Sequence, residues 1–366
     1  MSDGAGLDPV ALLRALVRIP SVSGEEASVQ QAVLAWLSAH GVAARAEGRN
    51  VVATIEPSSS GRSGGGAPAS RRGLLLCSHY DVVPVGPGWT REPWDGALEG
   101  GRVFGRGSND AKASIAAMMV AMAETAKAGA PPARVVGAFV CDEETGGKGL
   151  EAIRASLPAF DAAVVGEPTG LDVCPAQRGL LRAFVHETGR SAHASRPWEG
   201  VNAVDAAARD VLAIHAIEMK EEHPLLGKAT LVATMIAGGT KPNVVPGECV
   251  VTLDGRSTPA WDNARMAAAL RAAVKGRVEV KSDRFRPIET DPGAEIVRVA
   301  KAASPTGRVR GFGGVSDLFH VREVPGVVMG PGTSEQSHAP DESVAVEQVT
   351  AAARAYREIA RTYAGG

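Results

Sequence analysis

The spacing of hydrophobic positions changes along the chain, and with it the element that each region predicts. Asp8 followed by Pro9 is an N-cap with proline at the first helical position, and Pro20 closes that helix. Ser23 and Glu26 have capping-box spacing; Val29, Val33, Trp36 and Leu37 then recur at helical period until Gly41. Asn50–Ile55 reads as a strand. From Leu74 to about residue 175, short apolar strands alternate with helices. The strands are Leu74–Ser78, Val135–Cys141 and Ala162–Val165; the helices are Ala111–Gly129, apolar on one side, and Gly147–Leu157. This alternation predicts a mainly parallel sheet covered by helices.

The middle of the chain has a different pattern. Strands are expected at Leu180–Thr188, Leu231–Ala237, Glu248–Arg256 and Arg277–Lys281, and helices at Asn202–Ile217 and Trp261–Val274. Four strands and two helices in about 100 residues predict a small α+β sandwich. Near residue 285 the α/β pattern resumes, with helix Ala294–Ala303, strand Val327–Met329 and helix Val346–Ala364. The expectation is an α/β domain (1–178 and 285–366) interrupted by an inserted α+β domain (179–284). Residues 57–73 contain only Pro, Ser, Gly, Ala and Arg, which predicts a mobile surface insertion with nothing to bury.

Composition sharpens this reading. Lys+Arg number 39 and Asp+Glu 41, a net charge of −2, so no electrostatic attraction to nucleic acid or an anionic membrane is expected. The longest strongly apolar run, Ile115–Ala123, is far below the ~20 residues of a bilayer span, and the start MSDGAGLDP resembles no secretory signal. Cys77, Cys141, Cys174 and Cys249 form no CxxC pair, so four reduced core thiols in a cytoplasmic protein are expected. Gly and Pro together, 43 and 23 residues of 366, mark a chain rich in turns. Beyond the 57–73 insertion they gather at Gly105-Arg106-Gly107, Gly146-Gly147 and Gly330-Pro331-Gly332.

Those turns lie where strands end, and the residues there carry the chemistry. Leu74–Ser78 runs into His79-Tyr80-Asp81, Val135–Cys141 into Asp142-Glu143-Glu144, and Ala162–Val165 into Gly166-Glu167. The late strand runs on to Ser337-His338, and Asp110 precedes the Ala111 helix. Open α/β sheets bind ligands at the carboxyl ends of their strands. Each of these residues alone has an ordinary structural explanation. Together they place enough acids on one rim to repel one another unless cations neutralise them. Imidazole plus carboxylate without thiolate suits Zn²⁺, Co²⁺ or Mn²⁺, and two histidines with three carboxylates can hold two ions. Asp81 is spaced to stand behind a metal-bound His79. Of Glu143 and Glu144, one can ligate while the other serves as general base; spacing leaves open which does which. The reaction class this implies is metal-assisted hydrolysis of an amide.

His79-Tyr80-Asp81, GRGSNDAK (105–112), DEETGGKG (142–149), GEPT (166–169) and SHAPDE (337–342) together resemble the dinuclear-zinc metallopeptidase family. That family includes acetylornithine deacetylase, succinyl-diaminopimelate desuccinylase, aminoacylase and carboxypeptidase G. The resemblance implies an α/β catalytic domain with an inserted dimerisation or lid domain. It implies His79, Asp110 (bridging), Glu144, Glu167 and His338 as ligands of two divalent ions, zinc with cobalt also compatible. It also implies Glu143 as general base and Asp81 as the partner behind the ligands. GRSAHASRPWEGVNA (189–203) resembles the family's lid segment, in which a histidine, here His193, stabilises the oxyanion and is supplied by the partner subunit of a homodimer. Asn243 and Arg256 resemble its substrate-binding positions, Arg256 as a clamp on a substrate carboxylate.

The sequence departs from the family at Asp110-Ala111-Lys112-Ala113, where DMKG is common, and at GGVSDLFHV (313–321), which lacks an arginine that some desuccinylases carry after the Ser-Asp. The ending GPGTSEQSHAPDE (330–342) is close to acetylornithine deacetylase. The expected substrate is a small N-acyl amino acid or a short peptide. An acetylornithine deacetylase-like activity ranks first. A metallo-carboxypeptidase, a dipeptidase or a desuccinylase-like enzyme are alternatives, and a non-catalytic metal-binding relative is a remote one. Arg178 is read as either a substrate contact or a hinge ion pair.

Overall fold

A computed structural model of the protein describes residues 7–57 and 72–363. The chain forms two compact units: Met1–Pro175 with Thr290–Arg310 and Ser316–Gly366, and Ala176–Glu289 with Gly311–Val315. The segments 285–289 and 311–315 thus group with the second unit rather than the first. Backbone bonds hold them there: Leu180 N donates to Phe285 O, Gly311 N to Leu225 O and Arg178 N to Phe312 O. Most of the expected 57–73 insertion lies outside the described residues. Its last two positions are not a solvated loop, since Arg72 pairs with Asp161 and Glu295 and Gly73 opens a buried strand.

The first unit is built on a sheet whose strand order is Ala43–Glu47, Asn50–Ile55, Arg134–Val140, Gly73–His79, Ala162–Val165, Gly326–Val328 and Val173–Gln177. The strands Arg134–Val140, Gly73–His79, Ala162–Val165 and Gly326–Val328 run parallel, and the flanking ones are antiparallel. All residues of Gly73–His79 and Ala162–Val165 are buried, as expected of parallel strands covered on both faces. Register sets the strand ends level: His79 lies opposite Val140, Cys77 opposite Val165, and Val328 opposite Val165.

Helix Lys112–Ala128 is buried all round over its first three turns, not on one side only. It packs against helices Pro9–Val17 and Val346–Thr362 and against strands Gly73–His79 and Arg134–Val140. Each fully buried Ile, Val or Met on it contributes about 1.5–3 kcal/mol. Close approach to the sheet requires Gly137, where a Cβ would fall 2.7 Å from Met122 Sδ. The buried Lys112, pushed down to about 7 by desolvation, donates from Nζ to Leu16 O (3.1 Å) and Ile19 O (2.8 Å). It thereby fastens the turn that follows helix Pro9–Val17, where Leu16 O also accepts from Ile19 N.

Two expected caps differ in outcome. Asp8 caps as expected, its Oδ1 accepting from Val10 N and Ala11 N. Ser23 and Glu26 form no capping box: helix Ala27–Ala39 starts at Glu26 without a side-chain cap. Their polar atoms have other partners. Ser23 Oγ donates to Asp81 Oδ2 (2.7 Å), and Glu26 pairs with Arg49.

The second unit is a four-stranded antiparallel sheet of order Thr230–Gly238, Glu248–Ser257, Gly179–Thr188, Arg277–Ser282, with helices Ala203–His215 and Asn263–Ala273. Period-two alternation turns Cys249, Val251 and Leu253 inward against Leu181, Ala183 and Val185. Asn202 caps the first helix through Oδ1. The edge strand Thr230–Gly238 leaves Val232, Met235 and Ile236 exposed, and Trp198, Val201 and Leu212 are exposed in the same unit. Among the described residues, no helix is long and apolar enough to cross a membrane, and all four cysteines are free and buried.

Candidate metal centre

In the first unit, parallel strands with level ends place His79, the Asp142–Glu144 turn and Glu167 on one edge of the sheet. Asp110 reaches the same edge from the loop ahead of helix Lys112–Ala128. His338 reaches it from the loop after Gly326–Val328, at a left-handed φ of 62°. The side chains form two triads of donor atoms. In the first, His79 Nε2 lies 3.2 Å from Asp110 Oδ1 and 3.8 Å from Glu167 Oε2. In the second, His338 Nε2 lies 3.0 Å from Glu144 Oε1 and 3.7 Å from Asp110 Oδ2. Within each triad the donor atoms all fall within 4.8 Å of one another. Asp110 is common to both and turns one oxygen to each.

Like charges crowded out of water shift one another. Burial pushes Glu167 up to about 7, with His79 pulling the other way and Asp110 adding to the rise. Burial, and then Glu167, hold Glu143 well above the usual carboxylate range. Burial works against a charged His79, but its contacts with Asp110, Asp81 and Glu167 prevail and raise it well above normal. Glu167 Oε1 is buried with no hydrogen-bond partner. Two imidazoles and three carboxylates, one of them with an orphaned buried oxygen, form a donor set that suits two divalent cations. Glu143 belongs to neither triad.

Asp81 has a wider role than its spacing predicts. His79 Nδ1 is nearer to Asp81's main-chain oxygen (3.0 Å) than to its carboxylate (3.5 Å). The carboxylate instead accepts from Glu143 N (3.0 Å), Glu144 N (3.2 Å) and Ser23 Oγ (2.7 Å). Burial opposes its charge, but these bonds and His79 hold it below the usual range. The turn bearing both glutamates is thus fastened at its amides. The same turn needs Gly147, at φ 67°, because a Cβ there would meet His320 Nε2 and Asp317 Oδ1.

In the second unit, His193 and Asn243 come together. The strand Ala192–His193 pairs with Val244–Val245, and Ala194 N donates to Asn243 O (2.9 Å). His193 is exposed, and its Nδ1 accepts from Ser195 N (3.2 Å). Arg256 lies near the end of strand Glu248–Ser257, where its guanidinium donates to Asp254 (Nε–Oδ1 2.7 Å). Among the described residues Arg178 forms no ion pair; it donates to the carbonyls of Lys228 (2.8 Å) and Leu226. Cys141 groups with Glu26 and Asp142, but Arg49 pairs with both acids, and burial pushes the thiol up to about 12.

Four residues around the triads escape the sequence reading: Ser23, Arg106, Glu342 and Asp317. Ser23 looks like a helix cap, while Arg106 and Glu342 sit inside motifs without an individual signal. Asp317 does leave one, an acid immediately before Leu318 and Phe319. It is buried, both carboxylate oxygens lack a hydrogen-bond partner, and burial pushes it up to about 7.

The sequence profile of Peptidase family M20/M25/M40 matches residues 75–362. Succinyl-diaminopimelate desuccinylase 2 of Ruegeria sp. (strain TM1040) is 31% identical, covering 98% of this chain and 96% of its own. Among solved structures, aminopeptidase PepT from Bacillus cereus superposes with a TM-score of 0.79 at 21% identity, covering 96% of this chain and 97% of its own. Bacillus subtilis YxeP, described as a dinuclear metal binding peptidase from the M20 family, gives a TM-score of 0.72 at 16% identity, covering 97% of each chain.

Proposed function

The chain belongs to Peptidase family M20/M25/M40, hydrolases of amide bonds, and from that premise we propose that it is a two-metal amidohydrolase that removes the acyl group from an N-acylated amino acid. The observation that carries this reading is the pair of donor triads sharing Asp110, with Glu143 left free beside them. His79, Asp110 and Glu167 would hold one divalent cation and Asp110, Glu144 and His338 the other. Zinc is the first choice and cobalt the second. Two such ions would supply Lewis acidity toward the scissile carbonyl and offset the clustered carboxylates.

The protein's own groups do the rest. Glu143 takes a proton from the attacking water as oxygen bonds to the carbonyl carbon. It returns that proton to the nitrogen as the C–N bond breaks. A Glu143 pKa raised above the ordinary range suits a group that must hold the proton between the two steps. His193 donates to the developing oxyanion. A backbone N–H can only donate, so the Ser195 amide makes Nδ1 the acceptor and leaves the proton of a neutral ring on Nε2. We assign His193 to act across a homodimer formed by the second unit, whose edge strand exposes Met235 and Ile236. Asn243 and Arg256 are assigned to substrate; Arg256 would have to exchange Asp254 for a substrate carboxylate.

For the acyl group, an N-succinyl diamino acid ranks first because desuccinylases are the relatives at 31% identity. This reverses the order expected from the chain's ending alone. One observation keeps N-acetyl substrates as a second reading. Leu318 stands where some desuccinylases carry an arginine, and it is fully buried, so no cation there meets a succinyl carboxylate. A panel of N-succinyl, N-acetyl and dipeptide substrates, assayed with Zn²⁺ and with Co²⁺, tests the assignment. N-acyl compounds should show the highest kcat/KM; turnover confined to peptides would reject the deacylase reading.

A further inference from the structure

Glu342 supplies no atom to either triad, yet its buried carboxylate gathers four donors. Oε1 accepts from Asn109 N (2.9 Å) and Asp110 N (3.0 Å). Oε2 accepts from Gly107 N (3.1 Å) and Arg106 Nη1 (2.6 Å). Its main-chain oxygen accepts from Gly105 N (2.9 Å) and Ser108 Oγ (3.2 Å). The Arg106 guanidinium also reaches His338 O (3.4 Å). Asn109 ties the same loops from the other side, accepting from Thr333 N (2.9 Å) and donating to Ser337 Oγ (3.1 Å).

Electrostatics alone would not put an acid here. Glu342 is buried beside Asp110, and both burial and that charge raise its pKa. Converging amides stabilise an anion, and a buried charge that satisfies several of them holds its loop rigidly. The loop held is the one carrying Asp110, and the residue holding it lies four positions after His338.

We propose that Glu342 is a positioning residue: with Arg106 it locks the Asp110 loop to the His338 loop, so that the Asp110–Glu144–His338 triad is formed before any cation arrives. This rests on the reading of the triads as cation sites. Two donors of the second triad, Asp110 and His338, lie on the locked loops but only Asp110 of the first, so the second triad is disturbed more than the first.

The test uses the full chain, as wild type, Glu342→Gln and Arg106→Lys. Amide hydrogen exchange of the metal-free proteins, read by mass spectrometry, should show residues 105–111 and 334–342 exchanging roughly 10–100-fold faster in Glu342→Gln, given about 1–3 kcal/mol for an unmet buried amide. Strand Gly73–His79 should be unchanged. Titration with Co²⁺, followed by its visible absorption, should show one ion bound only slightly more weakly than in wild type and the second roughly 10–100-fold more weakly. Unchanged exchange at 105–111, uniform acceleration across the first unit, or equal weakening of both ions would overturn the proposal. If Glu342→Gln does not fold, Arg106→Lys decides by the same two readouts, with a smaller shift expected in each. A wild-type chain binding fewer than two ions would sink the two-metal reading, and the exchange measurement would then judge Glu342 by itself.

Discussion

Asp81→Asn keeps the size of the side chain and removes its charge. Three donors converge on the wild-type carboxylate, at 3.0 Å (Glu143 N), 3.2 Å (Glu144 N) and 2.7 Å (Ser23 Oγ). An asparagine offers one acceptor oxygen and one NH₂ group. With the NH₂ toward Glu143, that amide loses its acceptor. With the NH₂ toward Glu144, the Ser23 hydroxyl can rotate to accept, but the Glu144 amide is lost. One buried backbone N–H is therefore unmet in either orientation, at about 1–3 kcal/mol. Weakening the remaining bonds from charged to neutral brings the expected total to about 2–4 kcal/mol.

The loosened turn carries Glu143, and a misplacement of about 1 Å costs roughly 100-fold in rate. Steady-state kinetics should therefore show kcat down roughly 100-fold with KM little changed, and calorimetry a lower midpoint for the first unit. The first triad should keep its ion, because His79 Nδ1 has Asp81's main-chain oxygen at 3.0 Å and needs its carboxylate less, while the second triad, which takes Glu144 from the loosened turn, should bind its ion more weakly. Ser23→Ala, which removes one donor and leaves both amides bonded, should cost under about 1 kcal/mol. Wild-type kcat in Asp81→Asn would refute the reasoning. So would loss of the first triad's ion without loss of stability, which would return Asp81 to the simpler role of orienting His79.

Three other outcomes are expected. Glu143→Ala should lower kcat by roughly 10²–10⁴-fold at nearly unchanged metal content; an active variant removes Glu143 as the base. Burial, and then Asp210, push Glu187 in the second unit up to about 7, so the folded protein keeps a proton that the unfolded chain releases near 4.5. Stability of that unit is therefore fullest below the unfolded value and falls as pH rises through about 7. Thermal midpoints against pH should show this decline in wild type and not in Glu187→Gln; equal slopes would count against it. Ile236→Glu, on the exposed edge strand, should convert a dimer to monomer by light scattering, and an unshifted mass would exclude this edge as the interface.

Much of the fold is legible in the residue pattern, because periodicity is a local property. Asn50–Ile55 and Ala162–Val165 span the residues expected, and the four strands and two helices of the second unit differ only at their ends. The errors fall where a tertiary partner outbids the local signal. Ser23 has cap spacing but bonds to Asp81, 58 residues away. Helix Lys112–Ala128 reads as one-sided because small residues hide how closely other elements pack around it. Strand Val173–Gln177 carries Pro175 at its centre, a residue that reads against a strand.

The candidate site divides in the same way. By itself the sequence determined which residue types follow each strand, since histidines and carboxylates at strand ends can be read one motif at a time. Only the tertiary structure decided how they combine. The family resemblance implies a shared Asp110 with Glu144 among the ligands and Glu143 apart from them; the structure groups the donor atoms into two triads around Asp110 and shows Asp81 and Glu342 as anchors for the loops between. The reason is geometric. A motif fixes separations along the chain, whereas a donor atom's partners depend on strands and loops brought to one sheet edge from up to 259 positions apart (His79 to His338). Strand register and the buried carboxylates that hold the loops set those distances.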